Sequence, residues 1–221
     1  MFYRTLLATP RTCPIPILLL DTGGILMEHR IALKKLQFYH HIKHLDEDSL
    51  ASIIAEIQED YGYPGLMQEC KNLLKTYNIF DDVRYVSKNS WKKLVKNCVI
   101  KKNNADLLEM AKKYKKLNHE TLKQEEAGLK QYLRTLNLPD ARLRFALRSK
   151  MTRYVQMNFK GHPAYKANGW KCNHCNVPDT QEHILECEKY QSLRENVNLD
   201  SDKGLVDYFR KVIDARQTLI V

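Results

Sequence analysis

The sequence predicts a mostly α protein: a helical bundle-like region, then a small module built on cysteine and histidine, then C-terminal helices. Three observations carry that prediction. Apolar residues recur at helical spacing along nearly the whole chain, while alternating strand-like runs are scarce. Glycine and proline are sparse, at eight and seven in 221 residues, so the chain has few breakers. Three of its six cysteines fall within Cys172–Cys187, a short spacing that reads as metal ligation and not as a disulfide framework.

The N-terminus carries Pro10, Arg11 and Pro14 where a signal peptide needs an unbroken apolar stretch. The longest apolar run, from Ile15 to Met27, is cut by Pro16 and Asp21 and falls short of the roughly 20 residues that span a bilayer. Neither secretion nor membrane insertion is expected. Thiols kept free for a metal imply a reducing compartment, so the chain is expected inside the cell, in nucleus or cytoplasm. Within the same run, Ile17–Gly24 reads ILLLDTGG, the order found at the active-site aspartate of retroviral-type proteases. Such a site needs strands on both sides, a glycine-rich flap and a second supporting turn, yet helical periodicity resumes at Glu28. Asp21–Gly24 is therefore read as a turn that ends the apolar run and admits the first long helix, its glycines supplying backbone freedom.

Residues 28–44 place Ile31, Leu33, Leu36, Phe38 and Ile42 on a broad apolar face. Asp48 or Ser49 can cap the next helix, with Leu50, Ile53, Ile54 and Ile57 expected inward. Pro64 opens a helix carrying Leu66, Cys70, Leu73 and Leu74. Ser87 and Ser90 precede Trp91, Leu94, Val95 and Cys98 on a long lysine-rich helix that reaches about Leu117. A helix over 121–135 presents Leu122, Leu129, Tyr132 and Leu133, and Pro139-Asp140 opens another with Leu143, Phe145, Ala146, Met151 and Tyr154. Gly161, Pro163 and Gly169 mark a linker. Two helices close the chain, from about Thr180 to Asn196 and from about Lys203 to Arg216.

Charge divides the sequence into three. Residues 1–83 hold 8 Lys/Arg against 11 Asp/Glu, residues 84–160 hold 20 against 6, and residues 161–221 hold 8 against 9. The net charge of +10 thus comes entirely from the middle third. The expected regions are a helical one over 1–83, a basic helical one over 84–160 and a metal module with C-terminal helices over 161–221. A basic block of this kind attracts polyanions and speeds encounter with them. The bland reading is a solvated helix face. The nucleic-acid reading names Lys92, Lys93, Lys96, Lys112, Lys113, Lys115 and Lys116, with Arg148, Lys150 and Arg153, as phosphate contacts that position without reading sequence.

The most specific pattern is C-x2-C-x7-H-x3-C, formed by Cys172, Cys175, His183 and Cys187. A C-x2-C turn aims two sulfurs at one ion. His183 and Cys187 stand four apart, on one face of a helix that Asp179 or Thr180 can cap. Two ligands from a turn and two from a helix make the closed tetrahedral set of structural Zn2+, with no open position for chemistry. His174 is an alternative fourth ligand, but its ring would have to fold back into the turn.

Other features weigh less. Phe80-Asp81-Asp82 looks like a polymerase Asp-Asp turn, but lacks the spacing residue and a flanking apolar strand; a solvated loop or helix cap is the better reading. His40, His41 and His44 include an i, i+4 pair, read as a polar helix face before a second metal site. Trp91, Tyr114, Tyr132 and Tyr154 interleave with Lys and Arg and could stack on bases, although helical spacing favours packing.

The run CNHCNVPDTQEHILECEKYQSLRENV (172–197) resembles the C-terminal zinc knuckle of non-LTR retrotransposon reverse transcriptases. The residues that carry this are Cys172, Cys175, Asp179-Thr180, His183, Cys187, Tyr190 and Leu193-Arg194. Upstream, Leu19–Gly23, Ile31–His41, Ser87–Lys96 and Arg148–Lys160 look like the thumb-side segments that follow the palm in that family. The resemblance implies a CCHC zinc knuckle and RNA or DNA binding in association with the rest of a retroelement polymerase. The fingers, palm and catalytic aspartates have no counterpart here, so the expectation is a non-catalytic fragment, decayed copy or host-adopted derivative. The competing expectation is a helical protein-interaction module, a host-derived adaptor with a structural zinc.

Overall fold

The computed structural model describes residues 2–80, 82–114, 128–150, 171–172 and 174–217. Among them the architecture is α-helical, with no strand and two isolated bridges, Thr22 with Leu129 and Lys171 with Pro178. No described helix is long and apolar enough to cross a membrane. The helices are α1 Phe2–Leu6, α2 Ile15–Thr22, α3 Met27–Ile42, α4 Leu50–Asp60, α5 Leu66–Thr76, α6 Lys88–Lys112, α7 Tyr132–Thr135, α8 Leu138–Arg148, α9 Gln181–Glu186, α10 Gln191–Arg194 and α11 Asp202–Gln217, with single 3-10 turns at Val83–Tyr85 and Glu188–Tyr190. The chain forms two compact units, one of residues 23–110 and one of residues 1–22 with 111–221. This division by packing cuts the chain elsewhere than the division by charge at 83 and 160, because charge records the surface and packing the core.

In the unit of residues 23–110, α3 supplies Ala32, Leu36, Tyr39 and Ile42 to a core completed by Met67 and Cys70 of α5 and by Trp91, Val95 and Val99 of α6. The α6 positions step by four through Trp91, Val95, Val99, Asn103 and Leu107, all buried. Each step overshoots a full turn by about 40°, so the buried stripe winds around the helix. Ser87 starts it, its hydroxyl accepting the Ser90 N–H at 3.3 Å and its carbonyl the Trp91 N–H at 2.8 Å. Trp91 Nε1 donates to the Leu36 carbonyl at 2.9 Å, and buried Asn103 accepts the Leu26 N–H at 2.9 Å, capping α3 from a distance of 77 residues. Ser49 is the N-cap of α4, accepting the Ser52 N–H at 3.2 Å.

Two expectations fail in this unit. Of the expected α3 face, Leu36 and Ile42 are buried and Leu33 packs against the core, but Ile31 and Phe38 are half exposed, and Ala32 and Tyr39 complete the buried face. Leu50, Ile53, Ile54 and Ile57 do not face inward: α4 meets the core through Ala55 and leaves all four exposed. Periodicity shows that a helix has an apolar face but not which neighbour covers it. His40 and His44 are held by contacts within the fold, while His41 is exposed. His40 Nε2 donates to the Val86 carbonyl at 2.8 Å, and His44 stacks on His40 with centroids 4.0 Å apart. Asp82 caps the 3-10 turn, accepting the Arg84 N–H at 3.0 Å; Asp81 lies outside the described residues.

In the second unit, Asp21 is fully buried in the last turn of α2. It accepts the Tyr132 hydroxyl at 2.7 Å and Arg148 Nε at 2.8 Å. The final carbonyls of α2 are taken by a returning segment, Leu20 by the Gly128 N–H at 3.1 Å and Asp21 by the Lys130 N–H at 2.9 Å. The turn after ILLLDT begins only at Gly23, whose φ of 67° lies in the left-handed region that glycine favours. Asp21 and Thr22 belong to the helix, not the turn. Asn137 caps α8, accepting the Asp140 N–H at 2.9 Å. Tyr132 and Trp91 are core residues and not stacking platforms. Leu122, Met151, Tyr154 and the expected linker over 161–169 lie outside the described residues.

Candidate metal centre

Cys172 begins a tight turn. Its N–H donates to the Val177 carbonyl at 2.8 Å, and its own carbonyl accepts the Asn176 N–H at 2.9 Å. Asn176 takes φ 56°, a left-handed conformation that its short polar side chain tolerates. The turn brings Cys172 and Cys175 to the same side. Thr180 then caps α9, accepting the His183 N–H at 3.1 Å. The helix lasts six residues. Cys187 is its C-cap, its N–H bonded to the His183 carbonyl at 2.7 Å, which keeps the two ligands one turn apart. The expected helix from Thr180 to Asn196 is instead α9, a 3-10 turn and α10 in succession.

The four side chains expected as ligands converge. One ligand atom from each of Cys172, Cys175, His183 and Cys187 lies within 4.8 Å of the others, a cluster that could hold a metal ion. Cys187 Sγ stands 3.9 Å from Cys172 Sγ and 3.5 Å from Cys175 Sγ, and all three thiols are unbridged. A regular tetrahedron with metal–sulfur bonds of about 2.3 Å has sulfur–sulfur edges of about 3.8 Å, so the spacing fits. His183 Nε2 is buried without a hydrogen-bond partner. An orphaned imidazole nitrogen beside three sulfurs is the donor such an ion would satisfy. His174 is exposed and outside the cluster.

Electrostatics separates the thiols. Burial raises Cys172, but N–H donors from Cys175 and His174 and contacts with His183 and Cys187 outweigh it, and its pKa falls below the usual thiol value. Cys187 is pushed up, by burial first and then by the neighbouring Cys175 and Cys172 sulfurs. Cys172 and Cys187 are thus shifted in opposite directions. A divalent cation bound at the cluster would favour the thiolate form of its sulfur ligands.

The cluster rests on a core of Leu147, Ile184, Tyr190, Tyr208, Phe209 and Val212. Tyr208 donates to the Ile184 carbonyl at 2.6 Å, and Arg194 Nη1 to the Cys187 carbonyl at 2.8 Å, so a ligand-bearing segment is tied down at both ends. Arg216, at the end of α11, pairs with Asp179 just ahead of the α9 cap, and its Nε donates to the Tyr190 hydroxyl at 2.8 Å. Burial alone would lower the Arg216 pKa, but the Asp179 carboxylate and Tyr190 raise it. The sequence reading missed Arg216. Its signal was an arginine four residues after Val212, on an apolar helix face.

The expected phosphate contacts divide. Lys92, Lys93 and Lys96 are exposed on α6, and Lys112 and Lys113 are exposed at and just past its end. Lys115, Lys116 and Arg153 lie outside the described residues. Lys150 pairs with Glu182 at 2.5 Å. Arg148 is the correction: its guanidinium is held by buried Asp21 and its side chain is 12% exposed, so it serves the core. Comparison with protein-family models, curated proteins and solved structures finds no match to this chain.

Proposed function

We propose that this chain is a non-catalytic, nucleic-acid-binding fragment or derivative of a non-LTR retrotransposon reverse transcriptase, with a structural Zn2+ held by Cys172, Cys175, His183 and Cys187. The observation that carries the reading is the convergence of the four residues of the knuckle pattern into one cluster. Three sulfurs and one imidazole suit zinc better than the hard cations, which take oxygen. Four protein ligands fill a tetrahedral shell, so the metal would hold α9 against the preceding turn and do no chemistry. Binding to RNA or DNA is supported by exposed Lys92, Lys93 and Lys96, which share one side of α6. Such contacts give salt-dependent affinity with weak sequence preference.

The test is a mobility shift of the full chain on single-stranded RNA and duplex DNA across a salt series. Binding should weaken steeply as salt rises. The triple variant Lys92→Gln, Lys93→Gln, Lys96→Gln should flatten the log–log slope by about 2 to 3. Absence of binding at low salt, or an unchanged slope in the variant, sinks the reading. A second reading, a helical interaction module with the same structural zinc, is favoured by the outward apolar face of α4.

A further inference from the structure

The helix α4 is amphipathic the wrong way round for its own fold. Ala55 is its one buried residue. Ile53 and Ile57 each stand two residues from Ala55, about 200° around the helix. Leu50, Ile53, Ile54 and Ile57 are 73%, 42%, 46% and 44% exposed, and their spacing of i, i+3, i+4, i+7 makes a continuous outward stripe. Tyr61 and Tyr63 extend it, at 74% and 56% exposed with ring centroids 6.0 Å apart. Isolated exposed apolar residues are ordinary, but six on one helix and its C-terminal loop mark a surface made to be covered.

Charge says what covers it. Residues 44–70 hold Asp46, Glu47, Asp48, Glu56, Glu59, Asp60 and Glu69 and no Lys or Arg. Glu59 pairs with Lys43 and Glu69 with Lys35. Among the described residues Asp46, Glu47, Asp48, Glu56 and Asp60 have no ion-pair partner. Glu56 and Asp60 run along one edge of the stripe; the other three precede its N-terminal end. Nucleic acid and anionic lipid are repelled here. A second copy docking by the same face would set these carboxylates against their own copies. The stripe is three turns long, about 16 Å, the footprint of a short helix read through anchors at i, i+3, i+4 and i+7. Tyrosines at an apolar margin are typical anchors of such contacts.

We infer that the α4 face, from Leu50 to Tyr63, is a docking site for a basic amphipathic helix of a partner protein. It seats apolar side chains on Ile53, Ile54 and Ile57 and brings Lys or Arg to Glu56 and Asp60. This surface shares no residue with the metal centre or the α6 lysines, so it stands or falls apart from the nucleic-acid reading.

The experiment uses the full chain and a fluorescein-labelled 18-residue peptide with Leu at i, i+3, i+4 and i+7 and Lys or Arg elsewhere. A scrambled peptide of the same composition, without an apolar face, is the control. Anisotropy should show the patterned peptide binding at least tenfold more tightly. The double variant Ile53→Ser, Ile57→Ser should lose that advantage with an unchanged melting temperature, since neither side chain is in the core. Glu56→Lys with Asp60→Lys should weaken binding severalfold and flatten its salt dependence. Lys92→Gln, Lys93→Gln, Lys96→Gln should leave it unchanged. Equal binding of both peptides, or none, overturns the inference. So does a lower melting temperature in the isoleucine variant, which would make the stripe part of the fold. A wild-type dimer that the isoleucine variant dissolves would overturn it in favour of self-association.

Discussion

The Arg216 guanidinium meets the Asp179 carboxylate through two parallel contacts of 2.8 Å, with both side chains only 5% exposed. Asp179 immediately precedes the Thr180 cap of α9, and Arg216 stands in the last turn of α11. The pair therefore sets where the ligand-bearing helix begins relative to the helix behind it. Arg216→Met leaves a buried carboxylate unpaired and should destabilise by about 3–5 kcal/mol, read by urea unfolding. Arg216→Lys should recover only part, because an ammonium cannot reproduce the planar fork. Full recovery by Arg216→Lys would mean that charge, and not the paired geometry, is what matters.

Metal content gives the second prediction. Mass spectrometry of the purified chain should find one equivalent of zinc. Cys187→Ser or His183→Ala should lose it, each removing one of four convergent ligands. Because ligands this close repel when ionised without a cation, chelation should also lower the melting temperature. A chain that unfolds identically with and without chelator contradicts a structural role for the ion.

The Asp21 cluster gives the third. Asp21→Asn removes the charge that holds Arg148 and should cost about 3–5 kcal/mol. Tyr132→Phe removes only the 2.7 Å hydroxyl contact and leaves the Arg148 contact in place, so about 1–2 kcal/mol is expected. Chemical denaturation of the two single variants and the double variant measures the coupling. The burial of Tyr132 and the adjacent Asp21 carboxylate both raise its pKa, so its phenol should resist ionisation until the unit unfolds.

Gly204 gives the fourth, on steric grounds alone. A Cβ built there would lie 2.0 Å from the Asn198 carbonyl oxygen, a backbone atom that cannot swing aside as a side chain would. Gly204→Ala gains helix propensity in the first turn of α11 yet should lose about 1–3 kcal/mol through the forced shift. Gly62→Ala should lose stability for a different reason, its φ of 64°. Gly128 has open space at the same position, so Gly128→Ala should be close to neutral.

The sequence by itself determined the helical class, several helix starts and the four convergent ligands. Ser49, Asn137 and Thr180 cap their helices through side-chain oxygens, a choice made within three residues of chain. The Cys172–Cys187 pattern is equally local, because a tight turn and one helical turn are enough to bring its ligands together. Tertiary structure alone decided the rest. Whether α4 turns Ala55 or its isoleucines to the core depends on the shape of α3 and α5, which no period records. Arg148 was legible as one more cation of a basic block until Asp21, 127 residues away, took it into the core. Arg216 and Asp179 lie 37 residues apart. In each case a side chain's partner is chosen by packing at long range, and sequence periodicity carries only short-range information.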